Sequence, residues 1–157
     1  IPTFKSPQKN NTTNIKDRLA MLRMGVTSNP NFEISDLEIQ RGGTSYAIDT
    51  IREYKSDQDC DSRELFYLIG SDSLQTFHTW KDPREILDEC QVIVALRPGF
   101  LPSDISNWIL RKVRFASIPR FEIGSSTIRS RWRENKTIRY MVTQPVWEYI
   151  NDHGIYQ

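Results

Sequence analysis

At 157 residues the chain has the size of one compact domain and can bury a sizeable core. Its 38% hydrophobic and 26% charged residues exclude a disordered or fibrous protein, and 21 basic against 20 acidic side chains leave a net charge of +1 that gives no reason to expect a nucleic-acid partner. Two cysteines without CxxC spacing, no signal peptide and no apolar run near the roughly 20 residues that span a bilayer give the expectation of a cytoplasmic protein with no membrane partner.

The opening Ile1-Pro2-Thr3 carries no initiating Met and reads as the last residues of a strand. Residues 3–13 are polar, with Pro7 and two lysines, and read as a loop. Asn14 is a good N-cap for a helix from Ile15 to Val26, where Leu19, Leu22 and Val26 form an apolar stripe. Phe32, Ile34, Leu37 and Ile39 suggest a strand with polar alternates, broken in phase at Ser35-Asp36. Gly42-Gly43 is a turn, and a second helix follows from about Ser45, with Tyr46, Ile48, Ile51 and Tyr54 as buried positions.

After a polar loop at 56–63, Leu65 to Ile69 is a continuous apolar run of strand length, which fits a strand covered on both faces of a parallel sheet. It ends at Gly70-Ser71-Asp72. A short helical stretch, Trp80 and a helix from about Pro83 to Glu89 come next. Val92 to Leu96 is a second buried-type strand, ended by Arg97-Pro98-Gly99. Residues 103–110 suggest a helix, and Val113 to Ile118 a third strand. Ser125 opens a helix through about Asn135, and Pro145 opens the last, with Val146, Tyr149 and Ile150 apolar. Strands alternate with helices, the signature of an α/β layered sheet, and no repeat or second domain is visible.

In open parallel sheets, ligands bind beyond the carboxyl ends of strands. Three loops stand there. At Gly70-Ser71-Asp72, glycine lets a ligand approach the backbone and the carboxylate can accept from ribose hydroxyls; the plainer alternative is a helix cap. Ile123 to Arg129 enters a helix with free N–H groups, hydroxyls and a helix dipole, a combination suited to anions, with Arg129 one turn in; the alternative is a serine cap and a solvated arginine. Arg97-Pro98-Gly99 is weak by itself. Trp80, in a polar setting, could stack on an aromatic ligand or simply pack, whereas Trp108, Trp132 and Trp147 fit helix packing. His78 and His153 lie on separate elements, and no metal-ligand spacing, GxSxG elbow, Walker A loop or GxGxxG occurs. No protein-held metal and no covalent nucleophile are expected. A site that positions phosphates, with magnesium arriving on the nucleotide, needs neither.

Six segments in order resemble the bacterial nicotinate mononucleotide adenylyltransferases over essentially the whole chain. Ile1-Pro2 with Ser6-Pro7-Gln8-Lys9 resembles the family's strand end and PPHK loop, with Gln8 where histidine is usual. Asp17 to Leu22 is similar to its RLxML helix. Phe32 to Ile39 and Arg41 to Thr50 resemble its SDxEL…RGGxSYTxDT block, Ile69 to Leu74 with Trp80 its IGxDSL…W, and Ile123 to Arg129 its ISSTxIR. Ile138 to Tyr156 is similar to IRYLVPxxVxxYIxxHGLY. The resemblance implies a Rossmann-like nucleotidyltransferase fold, a parallel sheet with helices on both faces. It implies transfer of AMP from ATP to nicotinate mononucleotide, with Mg2+ on the ATP.

It further implies that Gly70 and Asp72 hold the adenosine ribose, and that Ser125, Ser126 and Arg129 hold the ATP phosphates with Lys9 nearby. Trp80 would stack on the nicotinate ring, and Tyr46, Ala47 and Thr50 would line its pocket. Ala47 replaces the usual threonine of SYT. The family's opening strand, its GGTFDPxHxGH loop and the helix after it have no counterpart in the sequence, so the domain is expected to be N-terminally incomplete, with its first βα unit absent. Those histidines grip the triphosphate, and without them weak ATP binding and severely impaired turnover are expected, together with exposed strand edges and association into oligomers. The alternatives are a related enzyme using nicotinamide mononucleotide or phosphopantetheine, or a non-catalytic nucleotide-binding remnant of the fold.

Overall fold

The computed structural model describes residues 1–7, 13–97, 100–119 and 123–156. In chain order the elements are α1 (Ile15–Val26), α2 (Leu37–Arg41), α3 (Ala47–Gln58), β1 (Phe66–Gly70), α4 (Ser71–Thr76), α5 (Pro83–Glu89), β2 (Gln91–Ala95), α6 (Asn107–Leu110), β3 (Arg114–Ala116), α7 (Ser125–Arg133) and α8 (Gln144–Asp152). Short 3-10 turns lie at Phe77–Thr79 and Pro102–Asp104. Contacts divide the chain into two compact units, Ser45–Arg120 and a second made of Ile1–Thr44 with Phe121–Gln157.

The unit Ser45–Arg120 holds a three-stranded sheet in the order β1-β2-β3, all parallel. The register sets Tyr67 beside Val92 and Ile69 beside Val94. Because successive strand side chains alternate between faces, these four share one face. Ile69, Val92 and Val94 are buried there in one cluster with Ile48 and Ile51 of α3, Leu74 of α4, Phe77, Ile86 and Leu87 of α5, and Ile109 of α6. The other face is different. Phe66 and Leu68 are 56% and 67% exposed, so the apolar run at 65–69 is not buried on both sides as its composition suggested. The reason is positional: the buried cluster of this unit lies behind the alternate residues of β1 only.

In the other unit, Asn14 caps α1 as its sequence predicts, its side-chain oxygen accepting from the Asp17 N–H at 2.9 Å. Helix α1 packs against α8, and the Tyr149 hydroxyl donates to the Asp17 carboxylate at 2.9 Å. Ile138, Ile150 and Ile155 form the buried centre, with Met21, Ile128, Trp132 and Val146 against it. The strand expected over Phe32–Ile39 is not formed. Residues 32–36 are irregular, Phe32 is 63% exposed, and a helix begins at Leu37. Asp36 decides this: its carbonyl accepts from the Ile39 and Gln40 N–H groups, and its carboxylate accepts from Gln40 Nε2 at 2.6 Å. The break in phase at Ser35-Asp36 is thus a helix start. Gly42, at φ 69° and ψ −176°, ends that helix in backbone space essentially reserved for glycine.

Candidate functional site

At the carboxyl end of β1 the chain turns directly into α4, and three consecutive residues do different things. No side chain caps α4, so the capping reading of Ser71 and Asp72 is not realised. Ser71 is instead 2% exposed, and its hydroxyl accepts from the Arg97 N–H at 3.1 Å, which ties the end of β1 to the end of β2. Asp72 remains half exposed, with Arg97 Nη1 3.4 Å from its Oδ2. Gly70 makes this possible: a Cβ built there would collide with the Asp72 carboxylate and stand 3.7 Å from Arg97 Nε. The turn therefore presents one carboxylate, backed by one guanidinium, at the position where parallel sheets receive ligands. Sequence places Ser71 and Arg97 in candidate loops but not in contact, because a buried serine that straps two strands looks like any helix cap until the strands are paired.

A second group in the same unit surrounds the start of α3. Tyr46 precedes the helix in extended backbone, Ala47 is its first residue, and the Thr50 hydroxyl donates to the Tyr46 carbonyl at 3.2 Å. Thr50 is buried. Lys81 Nζ lies 2.8 and 2.9 Å from the Asp49 carboxylate oxygens and 5.1 Å from the centre of the Tyr46 ring. Trp80 meets Phe77 at 5.1 Å, tilted, and Tyr67 edge-on at 6.4 Å. Its indole N–H is buried without a hydrogen-bond partner among the described residues. Tyr46, Ala47 and Trp80 all pack against the core cluster that contains Ile69 and Leu74. The Lys81–Asp49 pair escaped sequence reading because opposite charges 32 residues apart carry no local signal.

Ser125, Ser126 and Arg129 belong to the other unit. Gly124 is the N-cap residue of α7, in extended backbone, and no side chain caps the helix. Ile128 is the first residue whose N–H closes onto the helix, bonding the Gly124 carbonyl at 3.0 Å. The N–H groups before it, with the exposed Ser125 and Ser126 side chains, form a helix start suited to an anion. The Arg129 guanidinium sits 5.9 Å from the Tyr156 ring centre, a contact that holds a long side chain without neutralising it. Lys9, and Pro98 and Gly99 of the third loop, lie outside the described residues. Among the described residues no group of three or more His, Cys, Asp or Glu could hold a metal ion, and no helix is long and apolar enough to cross a membrane.

A parallel sheet that ends in a carboxylate-bearing turn and, in the other unit, an uncapped Ser-Ser-Thr helix start are the kinds of feature that bind nucleotides. Residues 1–131 match the cytidylyltransferase-like family, and the chain belongs to it. Within that family, the whole chain is 36% identical over 159 residues to a "Probable nicotinate-nucleotide adenylyltransferase" of Salinibacter ruber, covering 80% of that protein. It is 34% identical over 166 residues to a protein of the same description from Desulfitobacterium hafniense, and 31% identical over 157 residues to one from Tropheryma whipplei, covering 79% and 82% of them. The chain is a member of the nicotinate-nucleotide adenylyltransferase family. Two solved structures of the Plasmodium falciparum nicotinic acid mononucleotide adenylyltransferase share the fold. The one complexed with APC has a TM-score of 0.68 over 92% of this chain and 76% of that one, and the one complexed with NaAD 0.69 over 98% and 78%. Each is 18% identical in sequence.

Proposed function

We propose that this chain serves the transfer of AMP from Mg-ATP to nicotinate mononucleotide, giving nicotinate adenine dinucleotide and pyrophosphate, as a single nucleotidyltransferase domain in the cytoplasm. The observation that carries the reading is the Gly70-Ser71-Asp72 turn, which fixes one carboxylate at the carboxyl end of β1 by packing rather than by capping. In this reading Asp72 accepts from the adenosine ribose hydroxyls across the open backbone of Gly70. Ser125, Ser126 and the α7 N–H groups bind the triphosphate, with Arg129 and Lys9 adding positive charge. Magnesium enters as part of the nucleotide substrate.

An oxygen of the mononucleotide phosphate attacks the α-phosphorus, and the bond to the bridging oxygen of pyrophosphate breaks. The protein's contribution is alignment and charge stabilisation, with no covalent intermediate. Trp80 supplies an aromatic face for the pyridine ring. Tyr46 and Ala47 shape the same pocket, and Thr50 supports it by fixing the Tyr46 carbonyl at the helix start. Lys81, held by Asp49 beside Tyr46, adds a cation that favours the nicotinate carboxylate over the uncharged amide.

The test is an adenylyl-transfer assay with Mg-ATP and three acceptors: nicotinate mononucleotide, nicotinamide mononucleotide and phosphopantetheine. It is run on this chain and on the same chain preceded by a βα segment bearing GGTFDPxHxGH. Nicotinate adenine dinucleotide formed by either protein, and lost in Asp72→Ala, is the result expected. Equal or better use of phosphopantetheine, or no product from either protein, overturns the reading.

A further inference from the structure

We propose that the groove at the carboxyl end of α7 is a second ligand site, separate from the Ser125–Arg129 end, that takes a small phosphate-bearing aromatic such as a nucleoside monophosphate. The groove has a volume of about 750 Å³ and lies wholly within one unit, lined by Trp132 and Arg133 of α7, Asn135 and Lys136 beyond it, and Trp147 and Asn151 of α8. That is the size of pocket that holds a small organic ligand, of order 300–1,000 Å³. The nine residues of α7 put roughly 12 Å of helix between it and Ser125.

Three features bear on the chemistry of the occupant. The first is charge. Residues 129–139 carry Arg129, Arg131, Arg133, Lys136 and Arg139 against a single carboxylate, Glu134. Arg131 and Arg133 answer the negative end of the α7 dipole, which amounts to only about half a charge, and Arg131 is committed to the Thr137 carbonyl at 3.1 and 3.2 Å. Lys136 and Arg139 lie beyond the helix and exceed that requirement. Lys136 is paired with Glu134 at 2.6 Å, but both side chains are half exposed, so the pair exchanges readily for a phosphate. Arg133 forms no ion pair among the described residues.

The second feature is aromatic. Trp132 and Trp147 both back onto the Ile138, Ile150 and Ile155 core and also line the groove, and the Arg139 guanidinium lies 5.6 Å from the Trp147 ring. Indole faces accept flat rings, and a bound base on such a surface gains stacking that a bare sugar phosphate cannot. The third is hydrogen bonding. Asn135 and Asn151 bring amides that both donate and accept, as the edge of a base requires. Cations, indoles and amides in one bounded groove fit a single nucleotide better than an extended strand.

The experiment is isothermal titration of the chain with AMP, ribose 5-phosphate and inorganic phosphate, repeated on Arg133→Glu/Lys136→Glu and on Ser125→Ala/Ser126→Ala. The expected result is an AMP isotherm that persists in the serine variant, weakens at least about tenfold in the glutamate variant, and is at least about tenfold tighter than that of ribose 5-phosphate. If the glutamate variant loses helix content by circular dichroism, Arg133→Gln/Lys136→Gln replaces it, with the same loss expected. AMP binding unchanged by both charge variants sinks the proposal. Binding of ribose 5-phosphate as tight as AMP reduces the groove to an anion contact and also overturns it. A single-stranded oligonucleotide binding more than about a hundredfold tighter than AMP, and losing that binding in the charge variant, replaces the site with a nucleic-acid surface.

Discussion

Among the described residues, Ser45–Arg120 packs thirteen buried apolar side chains into one cluster around a parallel sheet, whereas the cluster in the unit of Ile1–Thr44 and Phe121–Gln157 has three, and neither α1 nor α7 contains a buried residue. The candidate ligand groups divide the same way. Gly70, Asp72 and the Trp80 cluster rest on the well-filled core. Ser125, Ser126 and Arg129 stand on a helix held mainly by half-buried contacts. In the proposed site, shape-dependent contacts to ribose and ring rest on a rigid strand end, while phosphate, which is bound by charge and N–H groups, meets a looser helix start.

The largest expected effect is on stability. Phe77 is fully buried in the larger cluster, so Phe77→Ala should cost about 3–5 kcal/mol. Ile150→Ala, beside a three-residue core that can partly collapse, should cost about 2 kcal/mol. Urea unfolding of both variants checks this, and an equal or reversed ranking removes the contrast between the units.

Next in size is a functional effect without a matching loss of fold. Gly70→Ala displaces the Asp72 carboxylate, a flexible neighbour, so the fold should survive while Mg-ATP affinity falls by about tenfold, or ~1.4 kcal/mol. Titration of the variant alongside its melting curve separates the two. Unchanged affinity means that Asp72 does not face the nucleotide.

A third effect is set by pH. The Lys55 side chain at 2.6 Å, with Arg52 behind it, holds the Glu89 carboxyl below the usual glutamate range. Because the folded value lies below the unfolded one, the stabilisation is present above the unfolded value and is lost as pH falls through the folded one. Lys55→Met should therefore flatten the acid limb of the melting profile of Ser45–Arg120 and leave that above pH 6 nearly parallel to the wild type. An unchanged acid limb shows that the pair does not act in solution.

The smallest effect is chemical. Burial pushes the Cys90 thiol up to about 11, whereas Cys60 is partly exposed. At pH 8 iodoacetamide should label Cys60 and spare Cys90 until the core is unfolded, as mass spectrometry of the modified chain would show. Equal labelling of both would mean that the larger core opens readily.

Much of this fold was legible in sequence wherever one local rule dominated. Helix α1 matches its expected Ile15–Val26 bounds because an asparagine cap and a 3–4 apolar spacing agree, and α5 matches Pro83–Glu89 because proline fixes its start. The two longer strands were visible as apolar runs. Burial on one face only was not: composition cannot tell a strand covered on one face from a strand covered on two, and Phe66 and Leu68 lie on the exposed face. The Phe32–Ile39 segment misled because alternating apolar residues outweighed the polar pair that starts a helix. At the candidate site, Gly70, Asp72, Trp80, Ser125, Ser126 and Arg129 stand out in sequence because each belongs to a local pattern, and their roles are those proposed above. The pairings around them have no such pattern. Ser71 with Arg97 and Asp49 with Lys81 meet partners 26 and 32 positions away, which no local window contains.

The most direct test of the central claim is titration of the chain with nicotinate adenine dinucleotide, because the product reports on ribose, phosphate and ring recognition without requiring turnover. Saturable one-to-one binding is expected, weakened at least about tenfold by Asp72→Ala in a protein that melts within a few degrees of the parent, and by Trp80→Ala in a protein that still melts cooperatively. No saturable binding, or binding that neither substitution changes, would contradict it.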